Sequence, residues 1–264
     1  MLSPCASHAV PGLNPSLGLG YSSSSQIARV RTESWVSDYL YCPACGHEKL
    51  TRYAANKPVA DFFCANCHSD FELKSKRQTT ALPGKRIIDG AYASMMERIR
   101  SITNPHLFFM IHDGLSVMSF CFIPRHFFTA TCIEARKPLG ANARRSGWQG
   151  CNIRLDLIPE VGKIYLIRHA EWIEREAALA QYRQGELLQT DDVARRGWML
   201  DILRCIDNLS SDEFELSELY SFEPKLSTLH PKNRNIRAKI RQQLQILRNR
   251  GIIEFTSRGK YRRI

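Results

Sequence analysis

No stretch of this 264-residue chain is apolar for long enough to span a bilayer, so a membrane helix is excluded. The first twenty residues, MLSPCASHAVPGLNPSLGLG, contain three prolines and no lysine or arginine. A secretory signal needs a basic start and a transit peptide needs arginines, so neither is read here. Residues 1–20 are expected to be a flexible lead-in, and the protein to be cytoplasmic. Acidic residues are the scarce charge: 26 Asp and Glu face 37 Lys and Arg, for a formal net charge of +11. The deficit concentrates in Asn233–Ile264, which holds ten cations and one acid, Glu254. Such an imbalance favours a polyanionic partner, nucleic acid first. At 44% hydrophobic and 24% charged the chain is globular, with length enough for two domains.

Cysteine is not scarce. Nine cysteines without an export signal point to a reducing compartment, and to thiols or metal ligands rather than disulfides. Cys42, Cys45, Cys64 and Cys67 form C-x2-C-x18-C-x2-C, with Gly46 after the first pair. Each knuckle offers two thiolates, and four close a tetrahedral structural Zn²⁺ site with no open position for chemistry. His47 and His68 flank the knuckles and are not counted as ligands. Cys5, Cys121, Cys132, Cys151 and Cys205 are scattered, as expected of buried small hydrophobes.

The second knuckle lies inside Pro58–Lys76, PVADFFCANCHSDFELKSK. The spacing predicts two short strands, Pro58–Cys64 and Asp70–Lys76, joined at Cys64 and Cys67. The second alternates, with Asp70, Glu72, Lys74 and Lys76 on one face and Phe71 and Leu73 on the other. Pairing as a hairpin would bring Asp61 near Glu72. Two carboxylates beside one ammonium suit a Mg²⁺ site with a water-positioning lysine. Asp followed at a distance by Glu-x-Lys is the signature of the PD-(D/E)xK nucleases, although Glu-x-Lys alone arises often by chance on solvated faces.

Before the knuckles, Ser23–Gln26 reads as a capping box opening a helix to about Ser37. Gln26, Arg29 and Glu33 share its polar face; Glu33 is within reach of the metal site from this helix, but is expected to be solvated. After the hairpin come a loop over Thr79–Ile88 with a Pro-Gly turn, and a helix from Asp89 or Gly90 to about Arg100. His106–Ile111 and Ser116–Ile123 read as adjacent buried strands turning at Asp113-Gly114. Pro124 opens a short helix to about Ala135, and Arg136–Gly150 is a long polar loop containing Trp148. Lys163–His169 is a strand and Trp172–Tyr182 a helix. The whole reads as an α/β sheet flanked by helices, with the boundary at Gln184–Asp192.

Beyond it, Val193–Leu209, Phe214–Phe222 and Asn235–Arg250 read as three helices, the last stopped by Gly251. Ile252–Thr256 and Tyr261–Ile264, joined through Ser257–Lys260, make a basic hairpin. Three helices and such a hairpin form a winged helix, whose third helix reads the major groove while the hairpin grips the backbone.

Several stretches together resemble the DpnI-like methyl-directed (type IIM) restriction endonucleases. They are Cys42-Pro43-x-Cys45-Gly46, Pro58–Phe62, Phe71–Lys76, Asp89–Ala93, Arg136–Leu139, Ala143–Trp148, Ile240–Arg248 and Gly259–Arg262. The resemblance runs from about Tyr21 to the end; the lead-in and a longer loop after Lys76 depart from it. It implies a PD-(D/E)xK domain with a four-cysteine zinc site over residues 21–188, and a winged helix over 189–264. It also implies double-stranded DNA carrying N6-methylated GATC as substrate; a monomer is the separate expectation. Asp61, Glu72 and Lys74 become the catalytic residues, with Asp61, Glu72 and the Leu73 carbonyl holding Mg²⁺. Lys74 would serve as base or as electrostatic stabiliser. Trp148 would take part in methyl sensing. Arg144, Arg145, Asn233, Arg234, Arg237, Arg241, Arg258 and Lys260 are the expected DNA contacts. The competing reading is a non-catalytic zinc-containing winged-helix regulator, which explains the cysteines and the basic tail but not the Asp61, Glu72 and Lys74 pattern.

Overall fold

The computed structural model describes residues 9–54, 60–101 and 103–264. The elements in order are α1 (Ser24–Tyr39), β1 (Thr51–Arg52), β2 (Phe62–Phe63), β3 (Asp70–Arg77), β4 (Arg86–Ala91), α2 (Tyr92–Ser101), β5 (His106–His112) and β6 (Val117–Ile123). Then follow β7 (Ile133–Ala135), β8 (Gly150–Arg154), β9 (Ile164–Arg168), β10 (Glu171–Trp172), α3 (Arg175–Glu186) and α4 (Val193–Asp207). The chain closes with β11 (Glu213–Glu215), α5 (Leu216–Tyr220), α6 (Glu223–Leu229), α7 (Ile236–Asn249), β12 (Ile253–Ser257) and β13 (Lys260–Arg263). Two compact units interleave along the sequence. One combines Met1–Lys85, Thr103–Arg125 and Gly162–Arg183, and the other Arg86–Ile102, His126–Val161 and Gln184–Ile264.

The first unit is built on a seven-stranded sheet, ordered β1-β2-β3-β5-β6-β9-β10. Its neighbours are antiparallel except β3 and β5, which run parallel. β5 is apolar apart from its terminal histidines and buried throughout, as a central strand covered on both faces requires. Residues of one parity form the core face. Phe71 stacks on Phe108 at 4.6 Å and 8°, and Phe108 meets Phe120 and Phe122. Trp35 of α1 stacks on Phe120 and Trp172. Each such ring removes apolar surface worth about 2–3 kcal/mol from water.

Several local expectations need correction here. α1 begins after Ser23, but that side chain makes no capping bond to the helix. Its hydroxyl instead lies 2.8 Å from Ser25 Oγ. Residues 9–20 are not loose. Leu13 is buried and bonds the Leu115 carbonyl through its amide, while Trp35 and Arg31 donate to the carbonyls of Pro11, Pro15 and Leu17. Prolines there remove donors but keep their carbonyls, and α1 uses them. Residues 1–8, with Cys5, and residues 55–59, with Pro58, lie outside the described residues. Trp172 is strand rather than helix, and α3 starts at Arg175.

In the second unit, β4, β8 and β7 form a three-stranded antiparallel sheet in that order. Over much of this region the sequence predicts loop, helix and loop, and the structure differs. Arg86–Ala91 is a strand because Ile87 and Asp89 are buried while Arg86, Ile88 and Gly90 are exposed, a period of two. The helix expected after Pro124 is replaced by two single 3-10 turns, Arg125–Phe127 and Ala130–Cys132, and by β7. Cys121, Cys132, Cys151 and Cys205 are buried, as expected of small hydrophobes.

The C-terminal part of this unit is helix-turn-helix-like. Asp192 caps α4 by accepting from the Arg195 amide. The face of α7 toward the core is Ile236, Ile240, Leu244 and Leu247, all buried. Gly251, at φ +69°, ends it. The helix expected over Phe214–Phe222 is in fact β11 followed by α5. α6 has no counterpart among the expected helices; Pro224 occupies its first turn, where its missing N–H costs no helix bond. β11 adds to the β12–β13 hairpin, in the order β11-β13-β12.

Candidate nuclease site and DNA-binding elements

The four knuckle cysteines gather as their spacing predicts. Their sulfurs all lie within 4.8 Å of one another, with Cys42–Cys67 at 3.7 Å and Cys45–Cys64 at 3.6 Å. A tetrahedral site with Zn–S near 2.3 Å needs sulfurs about 3.8 Å apart. The donor set and its dimensions therefore fit zinc. The two knuckles repeat one backbone pattern. Gly46 N–H bonds Cys42 O and Cys42 N–H bonds His47 O; His68 N–H bonds Cys64 O and Cys64 N–H bonds Ser69 O. Both Gly46 (φ +78°) and His68 (φ +58°) adopt the left-handed conformation that closes the turn. Burial pushes the Cys42 and Cys64 thiols up, against backbone amides of each knuckle that favour the thiolates. Burial acts the same way on Cys45. It is outweighed there by bonds from the Asn66 side chain and the His47 amide, which bring Cys45 down to about 7. Arg175 of α3 ties the first knuckle down by donating to the Gly46 carbonyl.

The second knuckle turns β2 into β3. Phe62 pairs with Phe71 and Phe63 with Asp70, which sets Asp61 across from Glu72. The Asp61 amide donates to Phe71 O at 2.9 Å, and Asp61 Oδ2 accepts the Leu73 amide at 2.7 Å. Lys74 Nζ lies 2.6 Å from Glu72 Oε1, both side chains partly exposed. Asp61, Glu72 and Lys74 thus share one face of the hairpin, with Leu73 between them on β3. β5 holds this strand along its length, Glu72 opposite Leu107 and Lys74 opposite Phe109.

Glu33 is not solvated. It is 3% exposed and ion-paired with Arg29, at 2.6 Å, and with Arg52. The Arg29 guanidinium is held above its usual range, first by Glu33 and also by the field of Asp61. A buried carboxylate fixed by two arginines therefore adjoins the hairpin. The Arg29–Glu33 spacing of four on a helix was the available signal for this pair.

Trp148 lies in a loop closed by its own backbone: Leu139 N–H bonds Trp148 O, and Gly147 N–H bonds Leu139 O. The indole is half-buried, with the Arg145 guanidinium 4.9 Å from its centroid and Gly150 beneath it, where any Cβ would come within 2.9 Å of the ring. Arg144 and Arg145 are exposed.

On the helix-turn-helix, Arg234, Arg237, Arg241, Arg258 and Lys260 are exposed and Asn233 is half-buried before α7. The tail is less one-sided than its sequence suggests, because acids from residues 212–223 fold against it. Glu223 pairs with Arg237, Glu215 with Lys260 and Asp212 with Arg263, while Glu254 and Glu213 flank Arg262. Arg241 bonds the Tyr220 hydroxyl. Arg234 and Arg258 make no ion pair among the described residues.

Residues 12–191 match the family described as DpnI, the Dam-replacing family, and residues 194–263 match the Dam-replacing HTH domain. The chain belongs to the DpnI family. Membership supports, in general terms, a methyl-directed restriction endonuclease with a DNA-binding winged helix. In this DpnI-like chain the knuckles, the acidic hairpin and the helix-turn-helix form one mixed α/β protein. Among the described residues, no helix is long and apolar enough to cross a membrane.

Proposed function

We propose that this chain hydrolyses phosphodiester bonds of double-stranded DNA at GATC sites carrying N6-methyladenine. In this reading a PD-(D/E)xK domain spans residues 21–188 and a winged helix 189–264. The observation that carries it is the register placing Asp61 opposite Glu72, with Lys74 on the same face of a hairpin turned by the four-cysteine site. Asp61, Glu72 and the Leu73 carbonyl would hold Mg²⁺, and the four cysteines Zn²⁺. Mg²⁺ bound there would supply an activated water and neutralise charge on the scissile phosphate. Asp61 is oriented for this by the Leu73 amide, which donates to Oδ2 at 2.7 Å. Lys74, held by Glu72, stands where it can position the attacking water or stabilise the negative charge that develops on the phosphoryl oxygens. Trp148 reads the methyl groups. α7 enters the major groove, and Arg258 and Lys260 of the hairpin grip phosphates.

Incubation with methylated and unmethylated plasmid, with and without Mg²⁺, tests the reading. Cutting of the methylated plasmid alone, and only with Mg²⁺, is expected. Binding without cutting under all conditions would leave the winged-helix regulator instead.

A further inference from the structure

The first unit carries a second polar site, away from the acidic hairpin face and on the α1 side of the sheet. A cavity of about 580 Å³ opens between the start of α1, the end of β3 and the turn after β5. Arg31, Arg77, His112, Ser24, Ser25 and Ser75 line it. The Arg77 guanidinium lies against Gly114 and donates from Nε to Asp113 O at 2.9 Å. Among the described residues its two terminal nitrogens have no acceptor. Arg31 donates to the carbonyls of Leu17 and Pro15, and its other terminal nitrogen has no acceptor among the described residues. Neither arginine has a carboxylate within ion-pair distance among the described residues. The neighbouring acid, Asp113, accepts the amides of Leu115 and Ser116 on Oδ1.

Two independent features aim at this space. α1 is sixteen residues long, has no acid in its first turn and receives no bond from its Ser23 side chain, so among the described residues no side chain caps its first amides and positive dipole end. His112 is 3% exposed, yet its Nδ1 has no hydrogen-bond partner. Burial lowers the His112 pKa, and Arg77 and Arg31 lower it further against the opposing field of Asp113. A neutral imidazole there has one N–H to donate. Guanidinium forks, a helix N-terminus, hydroxyls and a buried imidazole are the donor set that a phosphate group takes.

We infer that Arg31, Arg77 and His112, with the N-terminus of α1, form a binding site for a terminal phosphate group: inorganic phosphate or the 5′-phosphate end of a nucleic-acid strand. The inference does not rest on the nuclease reading. Calorimetric titration of the full chain with sodium phosphate, in Mg-free buffer at constant ionic strength, tests it. Saturable uptake is expected. Arg77→Gln should weaken it about tenfold or more, the loss of a charge-assisted bond. Ser75→Asp, an exposed change at the cavity mouth, should weaken it as far by repulsion without disturbing the core. Phosphate held elsewhere on this basic chain would be indifferent to both. Unchanged uptake in both folded variants, or a response that never saturates, would overturn the proposal. A short unmethylated duplex with and without 5′-phosphates then separates the sources. Tighter binding of the phosphorylated duplex, lost in Arg77→Gln, assigns the strand end. Equal binding of the two duplexes assigns free phosphate.

Discussion

Replacing Cys64 by serine removes one sulfur from a fully buried corner of the four-cysteine site. A zinc ion held there would cross-link Cys45 to Cys64 around a loop of about twenty residues. Treated as a chain cross-link, its loss releases loop entropy worth about 3.3 kcal/mol at 25 °C. For a chain of this size that corresponds to a fall in Tm of about 7–13 °C. The damage should be functional too, since the same turn sets Asp61 against Glu72. Thermal unfolding by circular dichroism, with metal content by mass spectrometry, reads both effects. Acid should mimic the substitution. In the metal-free protein at pH 7 Cys42 and Cys64, raised by burial, hold their protons, and Cys45, at about 7, is half ionised. Zinc must expel the bound protons, so its affinity should fall by about 100-fold or more between pH 7 and pH 6. A Cys64→Ser protein that keeps one zinc and melts within about 2 °C of the parent would refute the reasoning, as would zinc affinity independent of pH.

Asp61→Ala or Lys74→Ala should abolish cutting while leaving duplex affinity within about threefold, because the proposed groove and phosphate contacts are other residues; near-parental cleavage by Asp61→Ala would remove it from the site. Arg258→Ala should flatten the slope of log affinity against log salt by about 0.9, the contribution of one phosphate. Arg262→Ala should change it less, since Glu254 and Glu213 already neutralise that guanidinium; equal effects would count against the pairing argument. Trp148→Ala should slow cleavage of methylated GATC more than of unmethylated GATC. Covering two methyls is worth about 1.6 kcal/mol, roughly fifteenfold, so the preference should narrow without vanishing. Single-turnover rates on matched duplexes measure it, and an unchanged ratio returns Trp148 to packing.

The parts legible in the sequence were those whose spacing is a geometric requirement. Paired C-x2-C knuckles have few ways to satisfy a tetrahedral ion. β3 alternates strictly, and α7 keeps Ile236, Ile240, Leu244 and Leu247 on one stripe. β4, β7 and β8 were not legible because each is short, and because one face carries charge supplied by strands distant in sequence, as where Arg86 meets Glu134. Glu33 illustrates the same limit. Its partner on α1 is local, but Arg52, which completes its burial, is brought in by the fold. The charge of the winged helix was overestimated for that reason: Asp212, Glu213, Glu215 and Glu223 precede the basic segment in sequence and surround it in space.

β3 pairs with β2 only at its start but with β5 along its whole length. β5 in turn is held by β6, and β6 by β9, which ends at Arg168. On a ribosome the strand bearing Glu72 and Lys74 is made long before the strands that hold it. Loop closure over such separations comes late in folding. The acid–lysine cluster therefore has no rigid platform until about two thirds of the polypeptide has been synthesised. A nascent chain carries these residues without their geometry, and a truncated product that stops before Arg168 should remain harmless to DNA.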